Sequence, residues 1–563
     1  MKLNKIIYGV VLAVLLITAG SSCRKGQFNI NQNINNPTDS TITYGAVLPA
    51  AMNATGSIIA RNWGVQQNWM SYWARSGTYA PNVTEETYQI TTGFQNGPWN
   101  NCYDNAYDYQ IIISKAAQAG AGFYEGIARI MKTIDFQILV DVYGDVPYTQ
   151  ALKGSANPTP VYDKGVDIYK DLLRQIDQGM TLIANATVSN SNSNKDIWSN
   201  DILFGTPGSS YNAANVAAQK TKWLQFGNTL KLRLLIHAYA VGAIDKAAEI
   251  AIINGQGSGY ITADAQINPG YSGNDKPNPF FNQYKTNTDG TGSANDVYYK
   301  ANEWGIEYYH WVEDPRVTTT LGGANRLYAQ GNGGLVGVAY GLPPVTANAA
   351  AELAGIGPGA YKSATAPQPI VTLAEALFLQ AEARQRNIIT TGASAATLLQ
   401  NAVIASFTHF GVPNPNTAYA NYLIYNGGYP DVDITGTPQG TGGPAGGLFT
   451  ILSQKWMAMN SINTLETWTD WRRVPYTEVA TNIIYTPTPN DAPNTNFVYG
   501  DGGGFFGGPN SPGPGPFRSV SPQITPQDNI PVRLLYPQTE YNYNASNVPA
   551  GITRYSRVFW DLN

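Results

Sequence analysis

The stretch FYEGIARIMKTIDFQILVDVYGDVPY, residues 123–148, sets Phe123, Ile127, Ile130, Met131, Ile134 and Ile138 on an i, i+4, i+7, i+8 pattern. At 3.6 residues per turn that spacing gathers them on one face and predicts a helix packed against a core. Gly144 and Pro147 then close it with a turn. Asp141 and Asp145 beside them read as caps for backbone amides.

Outward from this segment the periodic stretches are nearly all helical. Residues 167–183 repeat the pattern through Ile168, Leu172, Leu173 and Ile176, and 223–240 is followed closely by 245–253. Residues 373–386 and 395–407 form another pair, and 448–468 predicts a last helix. Paired helices with alanine at close-contact positions resemble tetratricopeptide units, although no strict 34-residue period is present. Long loop-rich stretches interrupt them at 184–221, 255–295, 325–350, 412–447 and 481–530. Within the last, DGGGFFGGPNSPGPGPF (501–517) can be neither helix nor regular strand. Strand signals are few, PVRLLYP (531–537) being one. The expected fold is mainly α: a tetratricopeptide-like helix-pair scaffold with long irregular loops and minor β.

Composition narrows the surface. Charged residues make up 13% of the 563 and aromatics 12%, with 36 Tyr and 12 Trp, and the net charge is −4. No basic patch suits nucleic acid. A surface poor in charge and rich in Tyr, Trp, Asn and Gly suits stacking on and hydrogen bonding to neutral polar ligands, sugars among them.

At the N-terminus Lys2 and Lys5 precede an apolar run over 6–19, too short for a membrane span and suited to a secretory signal. Small residues Gly20, Ser21 and Ser22 lead into Cys23, one of two cysteines. A cysteine at that junction reads as a bacterial lipobox, although Gly20 stands where leucine is usual. Residues 1–22 are then a signal peptide, 23–42 a lipid-anchored tether and 43–563 a single helical domain carrying the loop insertions. With Cys23 acylated, only Cys102 keeps a thiol, and no internal disulfide forms.

Six blocks, taken in order, resemble the SusD/RagB family of Bacteroidota outer-membrane lipoproteins. They are DVYGDVPYTQAL (141–152), PVYDKGVDIYKDLLRQID (160–177), KWLQFGNTLKLRLLIHA (222–238), PIVTLAEALFLQAEA (369–383), LSQKWMAMNSINTLETWTDWRR (452–473) and IPVRLLYPQTEYNYN (530–544). The chain departs from the pattern in an Asn/Ser/Gly insertion at 187–220 and Gly-rich loops at 432–447 and 501–517. It also lacks acidic residues just after Cys23. The resemblance implies a cell-surface, nutrient-binding lipoprotein held in the outer membrane by its lipid. Its partner would be a SusC-like TonB-dependent transporter, for which it acts as a hinged lid, and its ligand an oligosaccharide or a peptide. It implies no enzyme activity and no cofactor.

Candidate ligand residues are aromatic clusters in loops, where ring faces stack on sugar C–H faces and amides meet hydroxyls. In GFQNGPWNNCYDNAYDY (93–109), Gly97 and Pro98 place Trp99 in a loop before a helix, with Asn101 and Tyr103 beside it. The family resemblance puts a sugar-stacking aromatic in this region. The second cluster, NDVYYKANEWGIEYYHW (295–311), offers Tyr298, Tyr299 and Trp304. Trp69 and Trp73, one turn apart, read as core.

Two other classes compete: an exported glycoside hydrolase and a ligand-free structural lipoprotein. LETWTDWRRVPY carries Glu466 and Asp470 one turn apart, but carboxylates on one helix face usually pair with arginine, here Arg472 or Arg473. His237, His310 and His409 share no metal-binding spacing. DVDITGTPQG (431–440) has a faint calcium-loop look, but Gly442 replaces the bidentate glutamate such a loop needs.

Overall fold

The computed structural model describes residues 42–437, 446–475, 519–525 and 528–562. The signal peptide, Cys23, nearly all of the tether and the tract 501–517 lie outside them.

The first helices are α1 (Tyr44–Arg61), α2 (Gly97–Ala119), α3 (Gly122–Tyr143) and α4 (Gly165–Asn185). They are followed by α5 (Ala213–His237) and α6 (Lys246–Gln256). After an irregular stretch come α7 (Glu303–Trp311), α8 (Leu373–Gln385), α9 (Ala395–Phe410) and α10 (Pro415–Tyr425). The last two labelled are α11 (Leu448–Met459) and α12 (Thr464–Arg473). Consecutive helices pack as antiparallel neighbours, α2 on α3, α3 on α4 and α8 on α9. Residues Tyr44–Asn563 make one compact unit.

Local chemistry sets the ends. Pro98 sits in the first turn of α2, and Gly120, with φ of 67°, stops it. The Asn212 side chain accepts from Ala214 N–H and Asn215 N–H, and Ser394 accepts from Thr397 N–H. Between α3 and α4 the backbones touch. A Cβ on Gly126 would lie 2.5 Å from the Gly179 carbonyl, and one on Gly179 2.7 Å from that of Gly126.

Sheet is confined to four antiparallel two-stranded pairs among the described residues, such as Trp73–Arg75 with Tyr299–Ala301 and Ala265–Ile267 with Gln368–Val371. The architecture is the mainly helical one expected, with four corrections. Segment 531–537 is not a strand: Val532 N–H bonds Arg554 O and Leu534 N–H bonds Val142 O, so its amides find separate partners and build no ladder. The loop expected at 184–221 is helical from Ala213, because AANVAAQKTK favours helix by its alanines while burying only Val216 and Gln219. The loop expected at 412–447 contains α10. The helix expected over 448–468 is two helices. Ser461, with φ of 64°, breaks them, and Asn460 Nδ2 fixes the corner on Tyr328 OH (2.8 Å) and Tyr309 OH (3.3 Å).

At the centre, α3, α5, α8, α11 and α12 converge on buried charge. His237 bonds Asp141 through Nδ1 (3.1 Å) and Glu466 through Nε2 (3.0 Å). Arg233 pairs with Glu375, Lys455 with Asp470 (3.0 Å), and Arg473 with Asp470 and Glu382 (2.6 Å each). Burial disfavours the imidazolium, but the Glu466 and Asp141 carboxylates outweigh it and push His237 up to about 9. Burial likewise opposes the Glu466 carboxylate, yet His237, Arg233 and Lys455 hold it well below the usual range.

Asp145 caps α4 as its position suggests, accepting Gly165 N–H at 2.9 Å. Asp141 does not cap. It is fully buried and takes hydrogen bonds from Tyr169 OH and Trp560 Nε1.

Candidate functional site

The predicted aromatics fall into three groups, with no ring contact joining one group to another among the described residues. Trp99 is not in a loop. It is the third residue of α2 and only 5% exposed, and it packs on Tyr103 (4.9 Å between centroids), Tyr143 (5.1 Å) and Tyr536 (5.9 Å). Pro98 starts the helix earlier than expected, and the helical spacing of Trp99 and Tyr103 turns both rings inward. Tyr103 donates to Pro147 O (2.7 Å), whereas Asn101 is exposed and meets Asn62 at 3.4 Å. Trp99 therefore sits in packed helix rather than in the exposed loop expected of it.

The second group is Tyr299 against Trp73 (5.2 Å) and Tyr284 (5.8 Å), with Tyr298 edge-on to Tyr79 (5.2 Å). Both tyrosines are half-buried, and Trp69 and Trp73 are core as expected.

The third group reaches the surface. Asn302 Oδ1 caps α7, accepting from Trp304 N–H (2.9 Å) and Gly305 N–H (3.4 Å). Gly305 lets the helix lie against the chain at Ser71, whose carbonyl would sit 2.1 Å from a Cβ there. Trp304, Tyr308 and Trp311 follow at i, i+4 and i+7, on one side of α7. Trp304 stacks on Tyr308 at 5.2 Å with planes 10° apart, and both stand edge-on to buried Trp456 at 5.6 Å. Trp311 is 40% exposed and meets Tyr429 at 5.8 Å and 83°, Tyr429 itself being 38% exposed.

The loop carrying Tyr429 is held from below. Asp433 accepts Gly428 N–H and Thr435 N–H at 2.9 Å each. Asp431 accepts the Tyr308 hydroxyl, and burial pushes its carboxyl up to about 6. Asn426 Nδ2 bonds Val312 O at 2.9 Å, tying the end of α10 to the end of α7. These acids, which gave residues 431–440 a calcium-loop look, are occupied by protein donors; 438–440 lie outside the described residues. Exposed aromatic faces on such a support can stack on flat apolar ligand faces without first being ordered. Glu303 and Glu307, half-buried on the same helix, and His310, 3.9 Å from Glu307, border the rings with polar groups.

Of the predicted residues, only Trp304 belongs to this platform. Trp311 and Tyr429 were missed. The 304/308/311 spacing could have revealed Trp311, whereas Tyr429 is 118 residues away and nothing in the sequence pairs them.

The pair Glu466 and Asp470 is structural: both are buried, Asp470 pairs with Arg473 as expected, and Glu466 takes partners from other helices. Among the described residues no salt bridge joins Arg472 to a carboxylate; its guanidinium lies on Trp468 (3.7 Å) and donates to Asp141 O (2.5 Å). Among the described residues no group of three His, Cys, Asp or Glu could hold a metal ion, and no helix is long and apolar enough to cross a membrane.

Comparison places this helix-pair scaffold and its aromatic surface platform in a known family. The SusD-like family described as starch-binding and associating with the outer membrane matches residues 35–499. The chain belongs to that family. It is similar to a SusD homologue from Bacteroides fragilis at 19% identity and a TM-score of 0.63, over 92% of this chain and 99% of that one. A SusD-like protein from Bacteroides thetaiotaomicron matches with the same values. A chitin-binding SusD homologue from Flavobacterium johnsoniae matches at 17% identity and a TM-score of 0.65, again over 92% and 99%. No curated protein matches it in sequence.

Proposed function

We propose that this chain captures an oligosaccharide at the cell surface and delivers it, as a lid, to a SusC-like TonB-dependent transporter. The lipid on Cys23 holds it in the outer membrane. The observation that carries the reading is the platform built on Trp304, where the rings of Trp311 and Tyr429 stand exposed on a scaffold that buries most of its other large rings. Membership of an outer-membrane starch-binding family supports it, as does the chitin-binding description of one structural relative. Tyr298, half-exposed on the segment before α7, is a secondary contact.

Calorimetry with chitohexaose and maltoheptaose, after a glycan array, tests this. Trp311→Ala removes a stacking anchor and should weaken binding by about 2 kcal/mol, roughly thirtyfold, with an unchanged melt because the ring is exposed. Absence of any glycan ligand, or full affinity in a Trp304→Ala/Trp311→Ala double variant, overturns the site. Binding of peptides alone on these rings would replace the ligand class.

A further inference from the structure

Away from the platform, an open groove of about 1080 Å³ runs between α5, the segment 258–266, α8 and α9. Its size is at the upper end for ligand pockets. Its charged groups are engaged with one another or with the backbone. His409 Nδ1 and Asp264 are 2.7 Å apart, Asp264 also accepts Leu373 N–H (2.7 Å), and Lys362 donates to the His409 carbonyl. What the groove offers a visitor is neutral. The carboxamides of Asn401, Asn416 and Gln380, the last already donating through Nε2 to Ala376 O (3.0 Å), line it together with aliphatic Leu373, Leu377 and Ile404. Among the described lining residues Tyr260 is the one Phe, Tyr or Trp, too few for a sugar-stacking ladder.

A smaller cavity of about 160 Å³ adjoins it, sharing Gln266, Lys362 and His409. Its wall includes Gln368, only 3% exposed, whose side-chain oxygen has no hydrogen-bond partner. An unpaired buried acceptor is destabilising, so a donor reaching this chamber is favoured. Phe280, Pro367 and Ile462 give the chamber apolar walls, with Asn278, Tyr361 and Ser461 beside them.

We propose that this groove is a second binding site, for an extended, uncharged peptide. Side-chain amides of Asn and Gln can pair with the ligand's backbone, which presents a donor and an acceptor at each residue. Leu377 and Ile404 pack its aliphatic side chains, and one side chain ending in N–H or O–H enters the small chamber to meet Gln368. His409 already bonds Asp264, and Lys362 the His409 carbonyl, so an uncharged ligand leaves those contacts in place. The site is independent of the aromatic platform.

The probe is an array of N-acetylated, C-amidated hexapeptides of Leu, Ala, Asn, Ser and Thr, with the best sequence titrated against the full-length protein in detergent. Asn401 is exposed on α9, so Asn401→Arg should leave the melt unchanged and weaken binding at least about tenfold. Leu377→Arg should abolish binding, and if that variant does not fold, Asn401→Arg decides. Trp311→Ala should bind the peptide as the unaltered protein does. Failure of every peptide to bind, or full peptide affinity in Asn401→Arg, overturns the proposal. So does chitohexaose binding that Asn401→Arg abolishes and Trp311→Ala spares, since the groove would then be a glycan site.

Discussion

Replacing Glu466 by glutamine removes one carboxylate from the centre of the buried charge cluster. Glu466 is 2% exposed and faces His237 at 3.0 Å, Arg233 at 3.5 Å and Lys455 at 3.7 Å. Breaking a buried pair by removing one partner costs about 3–5 kcal/mol, because the other charges stay desolvated. Unfolding the unit of about 520 residues releases about 2.1 cal/mol/K per residue, or about 1.1 kcal/mol/K. The expected fall in Tm is therefore about 3–5 °C.

The pH dependence gives a second readout. His237 is raised from 6.5 to about 9, so its contribution is complete below pH 6.5 and is lost as pH rises through 9. The shift corresponds to about 3 kcal/mol. The Glu466 carboxylate is depressed from 4.5, so its contribution is present above that pH and lost as pH falls. In Glu466→Gln one of the two carboxylates holding the proton on His237 is gone, and the alkaline loss should shrink. Scanning calorimetry of both proteins from pH 5 to 9 measures each effect. A variant melting within a degree of the original, with the same alkaline decline, would refute the reasoning.

Trp99→Ala should behave as a core truncation, losing about 3–5 kcal/mol and lowering Tm by several degrees while glycan affinity holds. Lost affinity with an unchanged melt would return Trp99 to the ligand site. Cys23→Ala should shift the protein from the outer-membrane fraction to the soluble one, measured with the transporter gene deleted so that a partner cannot retain it. Retention equal to the unaltered protein's would sink the lipid anchor.

Local sequence determined the scaffold helices, because an apolar face at 3.6-residue spacing and a capping residue act within one segment. The 123–138 pattern, Gly120 and Ser394 are of this kind. The ordered blocks through 141–152 and 452–473 also carried the family. Tertiary structure decided which aromatics face solvent. Trp99 and Trp311 look alike as letters beside a polar run, yet the first is enclosed by Tyr143 and Tyr536 and the second stands open beside Tyr429. It also decided the charge partners: Glu466 meets His237 across 229 positions and Arg233 from the same helix, rather than the arginines beside it. Burial and long-range pairing depend on where other segments pack, and no spacing within one segment encodes that.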